Sequence, residues 1–167
     1  GKTPAEVTWK AGVDILSLGA TKNGVFAAEA VIFFDPEKVA DFEFRRKRGG
    51  HLFSKYRFLS AQLLPYLEAD RWLRLAGNAN LRAQELEKGL RKLSEIKILH
   101  VVETNMIFIK MPVSLVDGFK QNDCLFYTWG QEDNSVFARL VTSFNTTKRE
   151  VDKFLAIATQ LVRSSFF

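Results

Sequence analysis

Gly12-Val13-Asp14-Ile15-Leu16-Ser17-Leu18-Gly19-Ala20-Thr21-Lys22-Asn23-Gly24 reads as a strand running into a turn. The apolar run from Val13 to Leu18 ends in small and polar residues that hold one lysine, and Asn23-Gly24 is a turn signal. A second apolar run, Ala27 to Phe34, follows. Nearly continuous apolar runs predict strands over about 13–19 and 28–34, in a sheet covered on both faces. A lysine at the end of a buried strand would be poorly hydrated, and desolvation favours its neutral amine. A neutral amine can attack a carbonyl, the requirement for a lysine that forms a Schiff base with an aldehyde cofactor. The same residues also allow a hairpin whose turn carries an exposed lysine.

Asp35-Pro36 closes the second run and opens a predicted helix over about 36–47, stopped by Gly49-Gly50. Residues 54–75 also read as helix, which Pro65 is expected to kink or split. A cleaner helix spans Asn78 to Leu93, where Ala79, Ala83, Leu86, Leu90 and Leu93 step by four and three into one stripe. Beyond Ser94 short strands are expected at about 98–104, 106–111, 125–129 and 136–143, with a short helix near 114–121. Thr147 and Glu150 have capping-box spacing. They open a last helix whose Val151, Phe154, Leu155, Ala158, Leu161 and Val162 share a face. The division expected is 1–75, a connecting helix over 76–94, and a compact α+β unit over 95–167.

The chain has 167 residues, 47% of them hydrophobic, with 15 Phe and 3 Trp, enough to bury a core. No run approaches the length of a membrane span, so no membrane partner is expected. The first residues carry no hydrophobic signal region. The single cysteine, Cys124, excludes an internal disulfide, fits a reducing cytosol and lacks the neighbours of a metal site, so no metal is expected. The net charge of +5 is concentrated in Arg45-Arg46-Lys47-Arg48, with Lys55 and Arg57 after it. No nucleic-acid-binding motif accompanies the run, so a small anion such as phosphate suits it better than nucleic acid. The alternative is a solvated helix end whose cations complement the dipole. Arg139 is expected on one strand face with Phe137 and Val141, where a guanidinium needs an anionic partner. That partner could be a substrate carboxylate or an internal acid.

The opening stretch, with Ala28-Glu29-Ala30-Val31-Ile32-Phe33-Phe34, is joined by Phe44-Arg45-Arg46-Lys47-Arg48 and by the run from Gly50-His51-Leu52-Phe53 to Ser60-Ala61-Gln62. Trp72-Leu73, Ala79-Asn80, Glu103-Thr104-Asn105, Phe126-Tyr127-Thr128-Trp129 and Arg139-Leu140-Val141-Thr142-Ser143-Phe144 follow in order. Together these motifs closely resemble the low-specificity threonine aldolases, pyridoxal-phosphate enzymes of the aldolase and β-eliminating lyase group. Such enzymes are about twice this long, and the chain looks like their C-terminal half. The resemblance implies an α/β fold: the end of the large domain of a fold-type I enzyme, then its small α+β domain.

It further implies that Lys22 carries pyridoxal phosphate and that Thr21 can reach the cofactor phosphate. Lys55 and Arg57 would point toward the phosphate of a neighbouring subunit's cofactor, and Arg139 would hold the substrate carboxylate. The implied reaction cleaves L-threonine or L-allo-threonine, β-hydroxy-α-amino acids, to glycine and an aldehyde. The alternatives are another pyridoxal-phosphate β-eliminating lyase, or a non-catalytic truncated interaction domain. His51 and His100 are read as structural. The acid that pairs with the pyridine nitrogen and the histidine that stacks on the ring would lie upstream of Gly1. The chain alone is therefore expected to be a poor catalyst. Its expected partners are an amino-acid substrate, the missing N-terminal half, and copies of itself in a dimer or tetramer, in the cytoplasm.

Overall fold

The computed structural model describes residues 1–164, which pack as two compact units, Gly1–Trp72 and a second from Leu73 onward. In the first, β1 (Ile15–Gly19) and β2 (Glu29–Phe33) pair antiparallel, with Ser17 opposite Val31. Both strands alternate exposed and half-buried residues, in a sheet of two strands. Among the described residues the sheet is therefore not covered on both faces, because exposed residues recur along both strands. The expected helix over 36–47 is broken. Asp35 accepts a hydrogen bond from the Glu37 N–H and caps a single 3-10 turn, Pro36–Val39. The chain then restarts as α1 (Phe42–Arg48), ended by Gly49 with its N–H bonded to the Arg45 carbonyl.

The stretch over 54–75 divides into α2 (Arg57–Ser60), α3 (Leu63–Leu67) and a 3-10 turn, Glu68–Asp70. One break lies at Ala61 and Gln62, between α2 and α3, and a second at Ala69 and Asp70, both at positive φ; neither lies at Pro65. Pro65 sits in the first turn of α3, where a missing N–H leaves no bond unmade. α4 (Arg71–Leu90) begins seven residues before the expected Asn78, since Arg71, Arg74 and Gly77 carry no apolar signal.

The second unit is a four-stranded antiparallel sheet with helices on one face. β3 (Lys97–Ile98) is much shorter than expected, and β4 (Met106–Pro112) runs beside it. α5 (Val113–Gln121) then precedes β5 (Tyr127–Glu132) and β6 (Ser135–Val141), in the sheet order β3-β4-β6-β5. Ile107, Ile109 and Met111 of β4 and Ala138 and Leu140 of β6 point into the core. There they meet Leu86 and Leu90 of α4 and Phe119 of α5. α6 (Lys148–Ser164) completes it with Val151, Ala158 and Val162. Its capping box is formed: the Thr147 N–H donates to Glu150 Oε2 at 2.7 Å and the Glu150 N–H to Thr147 Oγ1 at 3.2 Å. Two glycines let α6 approach: a Cβ on Gly89 of α4 would collide with the Leu155 side chain, and one on Gly118 of α5 with Leu161.

The opposite sheet face is open. Phe108, Trp129, Phe137 and Tyr127 pave it in edge and stacked contacts of 5.9–6.4 Å, beside Arg139. Among the described residues no helix is long and apolar enough to cross a membrane.

Candidate functional site around Lys22

Lys22 is the middle residue of one 3-10 turn, Thr21–Asn23, that follows β1 after the buried Ala20. Gly24 ends the turn at φ 103°, a left-handed position that favours glycine. The Asn23 and Val25 N–H groups both donate to the Ala20 carbonyl, closing the loop on itself. Lys22 is exposed, not poorly hydrated as a strand-end lysine would be, because the two-stranded sheet leaves its turn open. Among the described residues its amine makes no hydrogen bond or ion pair, so the nitrogen is accessible to a small carbonyl compound.

Its neighbours are engaged. Thr21 Oγ1 donates to Glu29 Oε1 at 2.7 Å, with the Thr21 N–H at 3.4 Å from the same oxygen. Asn23 Nδ2 donates to Tyr66 Oη at 2.8 Å and to the Trp72 carbonyl at 3.0 Å. The Phe26 N–H is held by Gln62 Oε1 at 3.1 Å. Sequence reasoning did not find Glu29, Tyr66 or the Trp72 carbonyl. The one local signal was Asn23 itself, whose side chain can bond beyond its turn.

Lys55, at φ 67°, and Arg57, the first residue of α2, are exposed, and the Arg57 guanidinium lies 4.9 Å from the Phe58 ring centre. No hydrogen bond or ion pair joins them to Lys22 or Thr21 among the described residues. In the basic run of α1, Arg46 Nε is buried with no acceptor among the described residues. A buried guanidinium N–H without a partner is costly.

Arg139 belongs to the second unit, on the open sheet face. Among the described residues it has no ion pair; its guanidinium carbon instead lies 5.6 Å from the centre of the Tyr127 ring. Elsewhere in the second unit a cavity of about 320 Å3 opens between the Asn122–Phe126 loop and α6. Cys124 lines it, and burial pushes its thiol up from the ordinary range.

No family model matches the chain. A low-specificity L-threonine aldolase of Pseudomonas sp. is 38% identical over 156 residues, 93% of this chain and 44% of that protein. The enzyme of the same description from Pseudomonas aeruginosa is 37% identical over 146 residues, 87% of this chain and 41% of the relative. The solved threonine aldolase of Leishmania major superposes with a TM-score of 0.88 at 24% identity, over 97% of this chain and 46% of that one. Over the length it shares with them, the chain is similar to low-specificity L-threonine aldolases. It spans less than half the length of the curated relatives it matches. The architecture is that of a fold-type I enzyme, α/β with a terminal antiparallel α+β unit.

Proposed function

We propose that the chain is the C-terminal part of a pyridoxal-phosphate-dependent lyase of the threonine aldolase type. The whole enzyme would cleave L-threonine or L-allo-threonine between Cα and Cβ to glycine and an aldehyde. The observation that carries this reading is Lys22: an accessible amine after β1, unpaired among the described residues, in a chain that aligns with a Pseudomonas threonine aldolase over 93% of its length.

Pyridoxal phosphate, when bound, supplies an electron sink for the carbanion left at Cα. Lys22 is the residue that would hold it covalently and yield it to the incoming substrate amine. Thr21 can turn its hydroxyl from Glu29 toward a phosphate oxygen, since the bond it makes is exposed. Lys55 and Arg57 are cations suited to the phosphate of a neighbouring subunit's cofactor. Arg139 offers its fork of N–H donors to the substrate α-carboxylate, which no acid of this chain occupies among the described residues. The acid for the pyridine nitrogen and the residue stacked on the ring would come from the N-terminal half. On this reading the chain alone is a poor catalyst.

A second reading, an association module without catalysis, draws on the first unit. Its buried apolar residues are Ala20, Val25, Ala28 and Tyr66, while Phe26, Phe44, Phe58 and Leu64 stand exposed.

Borohydride treatment of the chain with pyridoxal phosphate separates the two. The first reading expects label fixed on the Lys22 peptide and its loss in Lys22→Ala with the fold intact. Equal labelling of the mutant would sink the assignment.

A further inference from the structure

Lys22 stands in a single turn of three residues, and one turn of 3-10 helix has little stability of its own. Among the described residues Lys22 makes no side-chain bond, so its position depends on the residues beside it. The two flanks are anchored differently. Thr21 is tied to Glu29, eight residues away in the same hairpin, by bonds exposed to water. Asn23 is tied to Tyr66 of α3 and to the Trp72 carbonyl at the entrance of α4, 43 and 49 residues away, by partly buried bonds. Tyr66 is only 5% exposed, so water competes poorly for its hydroxyl.

The chemistry of the amide matters. Nδ2 carries two N–H groups, and each meets its own acceptor, one hydroxyl oxygen and one carbonyl. A carboxylate of the same shape would face the Trp72 carbonyl with no proton to give. Alanine would remove both bonds. The turn that presents Lys22 is thus pinned to two other elements through one side chain, next to the lysine in sequence.

We propose that Asn23 is a positioning residue for Lys22: through Tyr66 and the Trp72 carbonyl it holds the turn so that the lysine amine meets its carbonyl partner in one orientation. The proposal rests on the reading of Lys22 given above. Orientation of a nucleophile is worth large factors in rate, so loosening this anchor reaches Lys22 without touching its charge.

The test uses the whole chain, pyridoxal phosphate as probe, borohydride to fix the product, and peptide mapping to follow Lys22 beside exposed Lys92 of the second unit. Wild type should label Lys22 faster than Lys92. Asn23→Ala should slow Lys22 by about tenfold, as expected for two lost hydrogen bonds, with Lys92 unchanged. Tyr66→Phe, which removes one acceptor and keeps the ring, should slow it by a smaller factor, and Asn23→Asp should not rescue it. Lys92 is the control for reagent and handling, and exposed Lys10 is the control for loosening of the first unit, since a merely structural defect there would change Lys10 as well as Lys22. If Lys22 labels equally fast in wild type and Asn23→Ala, the positioning role is overturned while the cofactor role stands. If wild type shows no preference for Lys22, the cofactor reading falls and the positioning role with it. Should Asn23→Ala fail to fold, judged by circular dichroism, Tyr66→Phe decides, and unchanged Lys22 labelling there overturns the proposal.

Discussion

Tyr127 and Arg139 stand directly opposite each other on β5 and β6, with the guanidinium carbon 5.6 Å from the ring centre. The ring holds the cation on the open face without neutralising it, leaving the N–H fork free for an anion. Arg139→Lys keeps the charge and loses the fork. In the active assembly it should cost about 1.5–3 kcal/mol of transition-state binding, read from kcat/KM. Tyr127→Leu should cost about 0.5–1 kcal/mol through the lost cation–π contact, and Tyr127→Phe almost nothing. Unchanged kinetics in Arg139→Lys for every amino-acid substrate would leave Arg139 no role in substrate binding.

The α6 cap should respond to pH. Hydrogen bonds from the Thr147 backbone and then its hydroxyl hold Glu150 below the usual carboxylate range. A carboxyl lowered by folding stabilises the native state above its unfolded pKa, and that contribution is lost as pH falls through the lowered folded value. Carboxyl chemical shifts should show Glu150 titrating late on acidification. In Thr147→Ala the backbone donor remains and only the hydroxyl is lost, so the titration should move part of the way toward the ordinary range, with the helix cap weakened. An unaltered Glu150 titration in that variant would exclude the Thr147 hydroxyl as a contributor.

How much of this was legible depends on whether one face of one element carried the signal. The α4 stripe and the α6 face were plain, because Ala79, Ala83, Leu86 and Leu90, then Val151, Ala158 and Val162, each repeat at the helical period and are buried. The break at Ala69-Asp70 was not, because those residue types do not announce left-handed backbone, whereas Pro65 announces a kink that its place in the first turn of α3 makes harmless. The apolar runs of β1 and β2 state what strands prefer to face, and say nothing of whether this chain supplies it. Lys22 could be singled out through the resemblance of the longer stretch around it, its turn alone leaving an exposed lysine open, but Tyr66 could not: it is 43 residues from Asn23, and only the packed chain brings them together.

The core of the second unit should be sensitive to volume. Phe119, 1% exposed, stacks on Phe154 at 5.0 Å and meets Phe126 edge-on at 5.4 Å. Phe119→Ala should destabilise by about 3–5 kcal/mol, measured by denaturant unfolding. A loss below 1 kcal/mol would mean that the aromatic cluster does not carry the packing assigned to it.

The first unit should seek a partner. Phe26 is 86% exposed, and Phe44, Phe58 and Leu64 are also open, more apolar surface than is usually left in water. Sedimentation at low micromolar concentration should show association, either of the chain with itself or with an added N-terminal half. A compact monomer with one sharp unfolding transition would refute this.

Gly89 and Gly118 carry a consequence for synthesis. Both are sockets on helices made before α6, and both are filled by leucines that α6 brings later. The growing polypeptide therefore holds two empty apolar sockets until almost all of α6 has emerged from the ribosome. Until then the second unit is a candidate for chaperones and proteases. A stop codon after Phe154 would abolish Leu155 and Leu161 together, and such a product should be cleared from the cell rather than accumulate.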